Sequence, residues 1–237
     1  MATGKPTVEW ERHVGSVEAC AWMPDGVRAV SASSDGTLRV WDTQTGKSLQ
    51  TITGANLGAW SLAVSPDGAR AAAGCKDGVL REFGLADGSL LREMKGHLGY
   101  VRAVAYTHDG SRLLSSADDG SIRLWEPGAT EASAIFVGHR GGVLAVAINA
   151  DDTRVASGGR DGTVRLWNPA DGSAVQVMEG HRGWVECVAF AAGGREVIST
   201  GRDGRLLRWN VESGELTGEP DKTPVLVLTV DASELAL

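Results

Sequence analysis

The sequence predicts an all-β fold in which one four-stranded antiparallel unit is used five times, and three observations carry that expectation. An in-phase Asp-Gly pair opens at Asp35, Asp77, Asp119, Asp161 and Asp203, each 42 residues after the last and without an insertion. An aromatic side chain follows six residues later every time, as Trp41, Phe83, Trp125, Trp167 and Trp209. A histidine stands 22 residues before four of the five aspartates, as His13, His97, His139 and His181. Composition agrees, since 32 Gly and 8 Trp, against 2 Tyr and 3 Phe, suit a chain that repeats one local structure.

Within a unit the first strand is expected at Val17–Trp22 and again at Val101–Tyr106, where small or apolar positions alternate with polar ones. Turn signals such as Pro24-Asp25-Gly26 and Pro66-Asp67-Gly68 close it. The second strand follows at Arg28–Ser33 or Arg112–Ala117. The in-phase Asp-Gly then reads as a type I′ hairpin turn, which needs positive φ at both central residues. The third strand spans Thr37–Trp41 or Thr163–Trp167, and the fourth Lys47–Thr53 or Ala174–Glu179, after turn glycines Gly46 and Gly172. No stretch of 12 residues keeps a helical period without Gly or Pro. A lone 42-residue meander cannot bury both faces, so copies must pack on one another, and radial packing of four-stranded sheets gives a β-propeller. At the ends, Thr7–Glu11 is in phase with a fourth strand and Val225–Val230 with a first, while Glu234–Leu237 begins the next. The expectation is five complete repeats plus a partial sixth blade shared by the two termini. A thin six-bladed ring, a piece of a longer propeller and a ring completed by a second chain all stay open.

The 237 residues are expected to form a single domain. The balance of 23 basic and 30 acidic residues, net −7, argues against a duplex nucleic-acid partner. No apolar run reaches the length of a membrane span, and MATGKPTVEW lacks the apolar core of a secretory signal, so a cytoplasmic location is expected. Cys20, Cys75 and Cys187 make neither a disulfide framework nor a pair of metal clips and are read as small core residues. No cofactor and no metal are expected. His108, at a turn position equivalent to Pro24 and Pro66, reads as solvated, and Arg39, Arg81, Arg123 and Arg165 as a repeated strand-surface contact.

Gly96-His97, Gly138-His139 and Gly180-His181, each followed 28 residues after the histidine by Trp125, Trp167 and Trp209, resemble the WD-repeat (WD-40 type) propeller family. Trp41-Asp42 keeps the literal dipeptide, while later copies read Trp125-Glu126, Trp167-Asn168 and Trp209-Asn210. The resemblance covers residues 7 to about 230 and implies a non-catalytic scaffold that presents surfaces to other proteins. It departs from the family's usual seven or eight blades. The resemblance also implies structural Trp–Ser–His–Asp tetrads: Trp41, Ser31, His13 and Asp35; Trp125, Ser115, His97 and Asp119; Trp167, Ser157, His139 and Asp161; Trp209, Ser199, His181 and Asp203. A buried indole N–H needs an acceptor, a serine can accept it and donate onward, and an imidazole can bridge to a turn carboxylate. The second unit has Ala55, Ala73 and Phe83 instead and keeps only Asp77, so replacing Asp77 is expected to cost less than replacing His97. Ser, His and Asp also suggest a nucleophilic triad. A triad is used once and in a cleft, whereas this set recurs four times, each with its own Trp. No unique polar cleft stands out from the repeats, and no enzyme activity is expected.

In the resembled family, partners often bind the face where the innermost strands begin. Three positions per unit point there, and they read Ser16, Glu18, Ser34; Gly58, Trp60, Lys76; Tyr100, Arg102, Asp118; Gly142, Leu144, Arg160; and Trp184, Glu186, Arg202. Trp60, Lys76, Tyr100, Arg102, Arg160, Trp184 and Arg202 are therefore the candidate partner-binding residues. Three aromatics and four cations on one face of a net-negative chain make a local reversal of sign, suited to a protein or peptide of acidic or mixed acidic–hydrophobic character. Two alternatives share the same patch: single-stranded nucleic acid stacked on the aromatics, and a regulatory propeller module of a larger multi-protein system.

Overall fold

The computed structural model describes residues 11–55 and 58–218. The expectations on Thr7–Glu11 (apart from Glu11 itself), Val225–Val230 and Glu234–Leu237, and with them the shared sixth blade, lie outside the described residues.

Among the described residues twenty strands form five four-stranded antiparallel meanders in chain order. The first holds β1 (Val17–Trp22), β2 (Arg28–Ser33), β3 (Thr37–Asp42) and β4 (Ser48–Thr53), and the second β5 (Ala59–Val64), β6 (Arg70–Cys75), β7 (Leu80–Gly84) and β8 (Leu90–Met94). The third holds β9 (Val101–Tyr106), β10 (Leu113–Ala117), β11 (Ser121–Trp125) and β12 (Ala134–Val137). The fourth holds β13 (Val143–Ile148), β14 (Val155–Gly159), β15 (Thr163–Trp167) and β16 (Ala174–Glu179), and the fifth β17 (Val185–Ala191), β18 (Glu196–Gly201), β19 (Leu206–Asn210) and β20 (Leu216–Gly218). The chain is thus all-β, with strand order 1-2-3-4 in every sheet, as a propeller blade requires. Among the described residues no helix is long and apolar enough to cross a membrane.

The in-phase turn differs from the type I′ expectation. Gly36 N–H donates to the Ser33 carbonyl at 3.2 Å, and Gly36 is left-handed at φ +83°, but Asp35 is not. The loop is therefore three residues, Ser34-Asp35-Gly36, with glycine alone at positive φ. This leaves the aspartate in ordinary backbone with its carboxylate turned back into the sheet. At Gly78 the demand is steric as well, since a Cβ there would sit 2.6 Å from the His97 carbonyl oxygen of the next blade.

Hydrophobic packing lies between blades rather than in one centre. Val30, Leu38 and Ile52 of the first blade meet Ala59, Ala71 and Phe83 of the second. Leu80 and Met94 meet Val101, Leu113 and Trp125. Ile122 and Phe136 meet Val155 and Trp167, and Val164 and Met178 meet Val197 and Trp209. Among the described residues the buried clusters thus join neighbouring blades. Among the described residues no blade precedes the first in the chain. Trp22 is 61% exposed, whereas Tyr106, Ile148 and Phe190 at the same repeat position are buried. Cys75 is buried and Cys187 half-buried, but Cys20, on this same strand, is exposed, so it is not a core residue.

Candidate functional site

Each first strand begins with a β-bulge. The register slips between Val17 and Ala19, Ala59 and Ser61, Val143 and Ala145, and Val185 and Cys187, and between Val101 and Ala103 opposite Ala117 and Ser116. The bulged residues are Glu18, Trp60, Arg102, Leu144 and Glu186. A bulge breaks the alternation of the strand and re-aims one side chain, which delivers these five to the end of the sheets. The residue before each strand is tied to the residue before each in-phase aspartate by a backbone hydrogen bond. Lys76 N–H donates to the Gly58 carbonyl at 3.1 Å, Asp118 to Tyr100 at 3.1 Å, Arg160 to Gly142 at 2.9 Å and Arg202 to Trp184 at 2.8 Å. Three positions per blade are therefore held side by side by the backbone.

On this end the side chains form one connected run. Lys76 Nζ lies 5.1 Å and the Arg102 guanidinium 4.8 Å from the Trp60 ring centre, and Arg102 also lies 5.0 Å from that of Tyr100. The Trp60 and Tyr100 rings are 6.0 Å apart. Arg102 donates to both oxygens of Asp118 at 2.9 and 2.6 Å, and Arg160, from the next blade, reaches the same carboxylate at 2.9 Å. Arg160 and Arg202 lie 4.8 and 4.0 Å from the Trp184 ring centre. Asp118 is thus the link between an aromatic–cation cluster on blades two and three and another on blades four and five. Gly142 keeps the junction open, because a Cβ there would come 2.9 Å from the Asp118 Oδ1.

The expected reversal of sign is reduced. Lys76 pairs with Glu18 at 3.7 Å and Arg202 with Glu186 at 2.6 Å, so three carboxylates, Glu18, Asp118 and Glu186, answer the four cations. Repeat phase named these acids among the fifteen positions but carried no sign that they would fold onto the cations.

Behind this end lie the four Trp–Ser–His–Asp sets. Trp41 Nε1 donates to Ser31 Oγ at 2.7 Å, His13 Nε2 lies 2.7 Å from the same Oγ, and His13 Nδ1 lies 3.0 Å from Asp35. The equivalent distances are 2.8, 2.8 and 3.0 Å around His97, 2.8, 2.7 and 3.0 Å around His139, and 2.8, 2.8 and 3.0 Å around His181. Burial pushes His97 and His139 below the usual imidazole range, against the pull of Asp119 and Asp161. A neutral ring that donates from Nδ1 and accepts the serine proton at Nε2 satisfies every member. Each aspartate also accepts the N–H of the residue after its histidine, as Arg140 N–H does with Asp161 at 2.8 Å. Burial raises the Asp161 carboxyl, but the hydrogen bonds from Arg140 and Thr163 and the His139 ring outweigh it and hold it at about 2. In all four sets the serine is buried and accepts the indole N–H of its own Trp.

The second blade corrects one expectation outright. Asp77 is not left alone: Arg81, nearly fully buried, donates to both its oxygens at 3.1 and 2.7 Å and to Glu93 at 2.9 Å. Arg81 is thus not the surface contact its repeat position suggested, whereas Arg123 uses Nη2 to reach the Gly96 carbonyl at 2.9 Å. His108 is partly exposed, yet its N–H donates to Asp152 of the next blade at 2.9 Å, where Pro24 and Pro66 have no N–H to offer.

Comparison with protein families places the repeats on a known footing. The family model described as WD domain, G-beta repeat, matches residues 4–42, 46–83, 88–126, 131–168 and 172–210. A comparison with curated proteins gives no match.

Proposed function

Because the chain belongs to the WD-repeat family, whose repeats generally mediate protein–protein interactions, we propose that it is a non-catalytic interaction module that holds a protein or peptide segment on the bulged end of its blades. The observation that supports this reading is the connected run from Lys76 and Trp60 through Asp118 to Trp184 and Arg202. These side chains stand at positions where the repeat demands no particular residue, and stacked Trp, Tyr and Arg are the side chains that anchor interfaces. Stacking also restrains the guanidiniums before a partner arrives, which lowers the cost of ordering them. The segment bound is acidic–hydrophobic in character. Glu18, Asp118 and Glu186 inside the run repel a continuous phosphate backbone, so a peptide fits better than single-stranded nucleic acid.

A Trp184→Ala plus Arg160→Glu variant should keep the circular dichroism and melting curve of the parent. Proteins retained from native lysate by the parent should be missing from the variant. Retention of the same proteins by the folded variant would move the site to the opposite end or to the rim.

A further inference from the structure

Counting charges along the run divides it into two unequal arms. Around Trp60 and Tyr100 the two cations are engaged: Arg102 gives two donors to Asp118 and lies against both rings, and Lys76 faces Glu18. What this arm offers outward is aromatic surface, with Tyr100 40% exposed. Around Trp184 the cations are under-used. Arg160 has only a share of Asp118, and its Nε is buried with no hydrogen-bond partner. Arg202 uses Nε on Glu186, and its side chain is 57% exposed. Arg182 is exposed, and its backbone N–H, donated to Asp203 at 2.8 Å, turns the chain so that the residue borders the same spot. Arg160, Arg182 and Trp184 line one cleft together with Gly162 and Gly183.

We propose that this cleft between the fourth and fifth blades is an anion subsite that takes a single acidic side-chain group of the bound peptide, while Trp60 and Tyr100 take an apolar side chain beside it. The proposal rests on the reading of this end as the binding face. The Arg160 and Arg202 guanidiniums keep donors beyond those spent on Asp118 and Glu186, with exposed Arg182 at the same cleft, and a carboxylate or phosphoryl oxygen answers such donors with charge-assisted bonds. Arg160 lines the cleft and Arg202, outside its lining, shares the Trp184 ring with it, so two guanidiniums able to bind a carboxylate bidentately are held at one place. The subsite suits one anionic group and not several. Asp161, which also borders the cleft, and Asp203 behind it keep their negative charge while they hold His139 and His181.

The test is selection from a displayed library of random dodecapeptides against the folded full chain and two variants, Arg160→Gln plus Arg182→Gln plus Arg202→Gln and Trp60→Ser plus Tyr100→Ser. The parent should enrich an acidic residue close to an aliphatic or aromatic one. The arginine variant should lose the acidic preference and keep the apolar one, and the aromatic variant should do the reverse. For the best peptide, resynthesised, changing its acid to the amide should weaken binding about tenfold in the parent and by no more than about twofold in the arginine variant. A phosphoserine version of that peptide separates the two sources of the anion, since tighter binding would assign a phosphoryl group and weaker binding a carboxylate. Acidic enrichment that survives the arginine variant, or that disappears equally with the aromatic one, overturns the subsite. Enrichment unaltered by either variant, or no peptide enriched by the parent, overturns the binding-face reading itself.

Discussion

Replacing His97 by alanine removes the ring that joins Ser115 to Asp119. The serine keeps Trp125 as a donor but loses its acceptor in a fully buried site, a loss of about 1–3 kcal/mol. Asp77 deserves equal expectation, although its blade has no His, Ser or Trp at those places. Asp77→Ala strips the Arg81 guanidinium of a bidentate partner and leaves Glu93 as its carboxylate, again a loss of about 1–3 kcal/mol. Urea unfolding of the two variants should therefore give similar shifts in midpoint. A midpoint for Asp77→Ala at the parental value would mean that Arg81 finds other partners without loss. In physical terms the second blade exchanged a Trp–Ser–His chain onto its aspartate for an ion triad at the same turn.

Among the elements, β7 departs most from its counterparts. Glu82 stands where the other early blades have Val40, Leu124 and Leu166, facing the next blade. It is nearly fully buried and accepts from Arg92 at 2.6 Å, Arg70 at 3.2 Å and Tyr106 of the third blade at 2.8 Å. Arg92 also donates to the carbonyls of Glu126 and Ala129, at 2.7 and 2.9 Å, and so bolts β8 to the loop after β11. Burial, followed by the Glu82 charge, pushes the Tyr106 hydroxyl far above its ordinary range, so it remains a donor. Removing one member leaves buried charges uncompensated, and Glu82→Ala should cost about 3–5 kcal/mol. Replacing Glu82 and Arg92 together by leucine should recover most of that loss, because an apolar pair of similar volume avoids the desolvation of both ions. Thermal melts of the single and double variants check this. A double variant no better than the single would show that the carbonyl contacts of Arg92, and not the ion pair, hold the junction.

For the molecule as a whole, stability resides in junctions between blades, so a residue's importance depends on whether its blade has a neighbour on that side. Trp22 and Phe190 share one repeat position, yet Trp22 is mostly exposed and Phe190 is buried against the fourth blade. Phe190→Asp should place an unpaired carboxylate in an apolar junction and unfold or severely weaken the fifth blade. Trp22→Asp should shift stability by no more than about 0.5 kcal/mol. Equal damage from the two would show that Trp22 supports the fold in spite of its exposure.

The sequence by itself determined the repeated architecture: the five sheets and their strand order. Both follow from spacing along one chain, and spacing recurs every 42 residues where it can be counted. That Trp125, Ser115, His97 and Asp119 join in one network was implied by the family resemblance, and the structure shows the contacts. The turn type escaped, since Asp-Gly is compatible with either a two-residue or a three-residue loop and only strand register chooses between them. Tertiary structure alone decided which charges meet. Arg160 reaches Asp118, Lys76 reaches Glu18 and Tyr106 reaches Glu82 across the gap between neighbouring blades. Long side chains with several rotatable bonds make those contacts, and their partners depend on the distance and twist between sheets, which no spacing within a repeat encodes. The balance of charge on the candidate face, and the place where an anion can still be received, therefore came from packing.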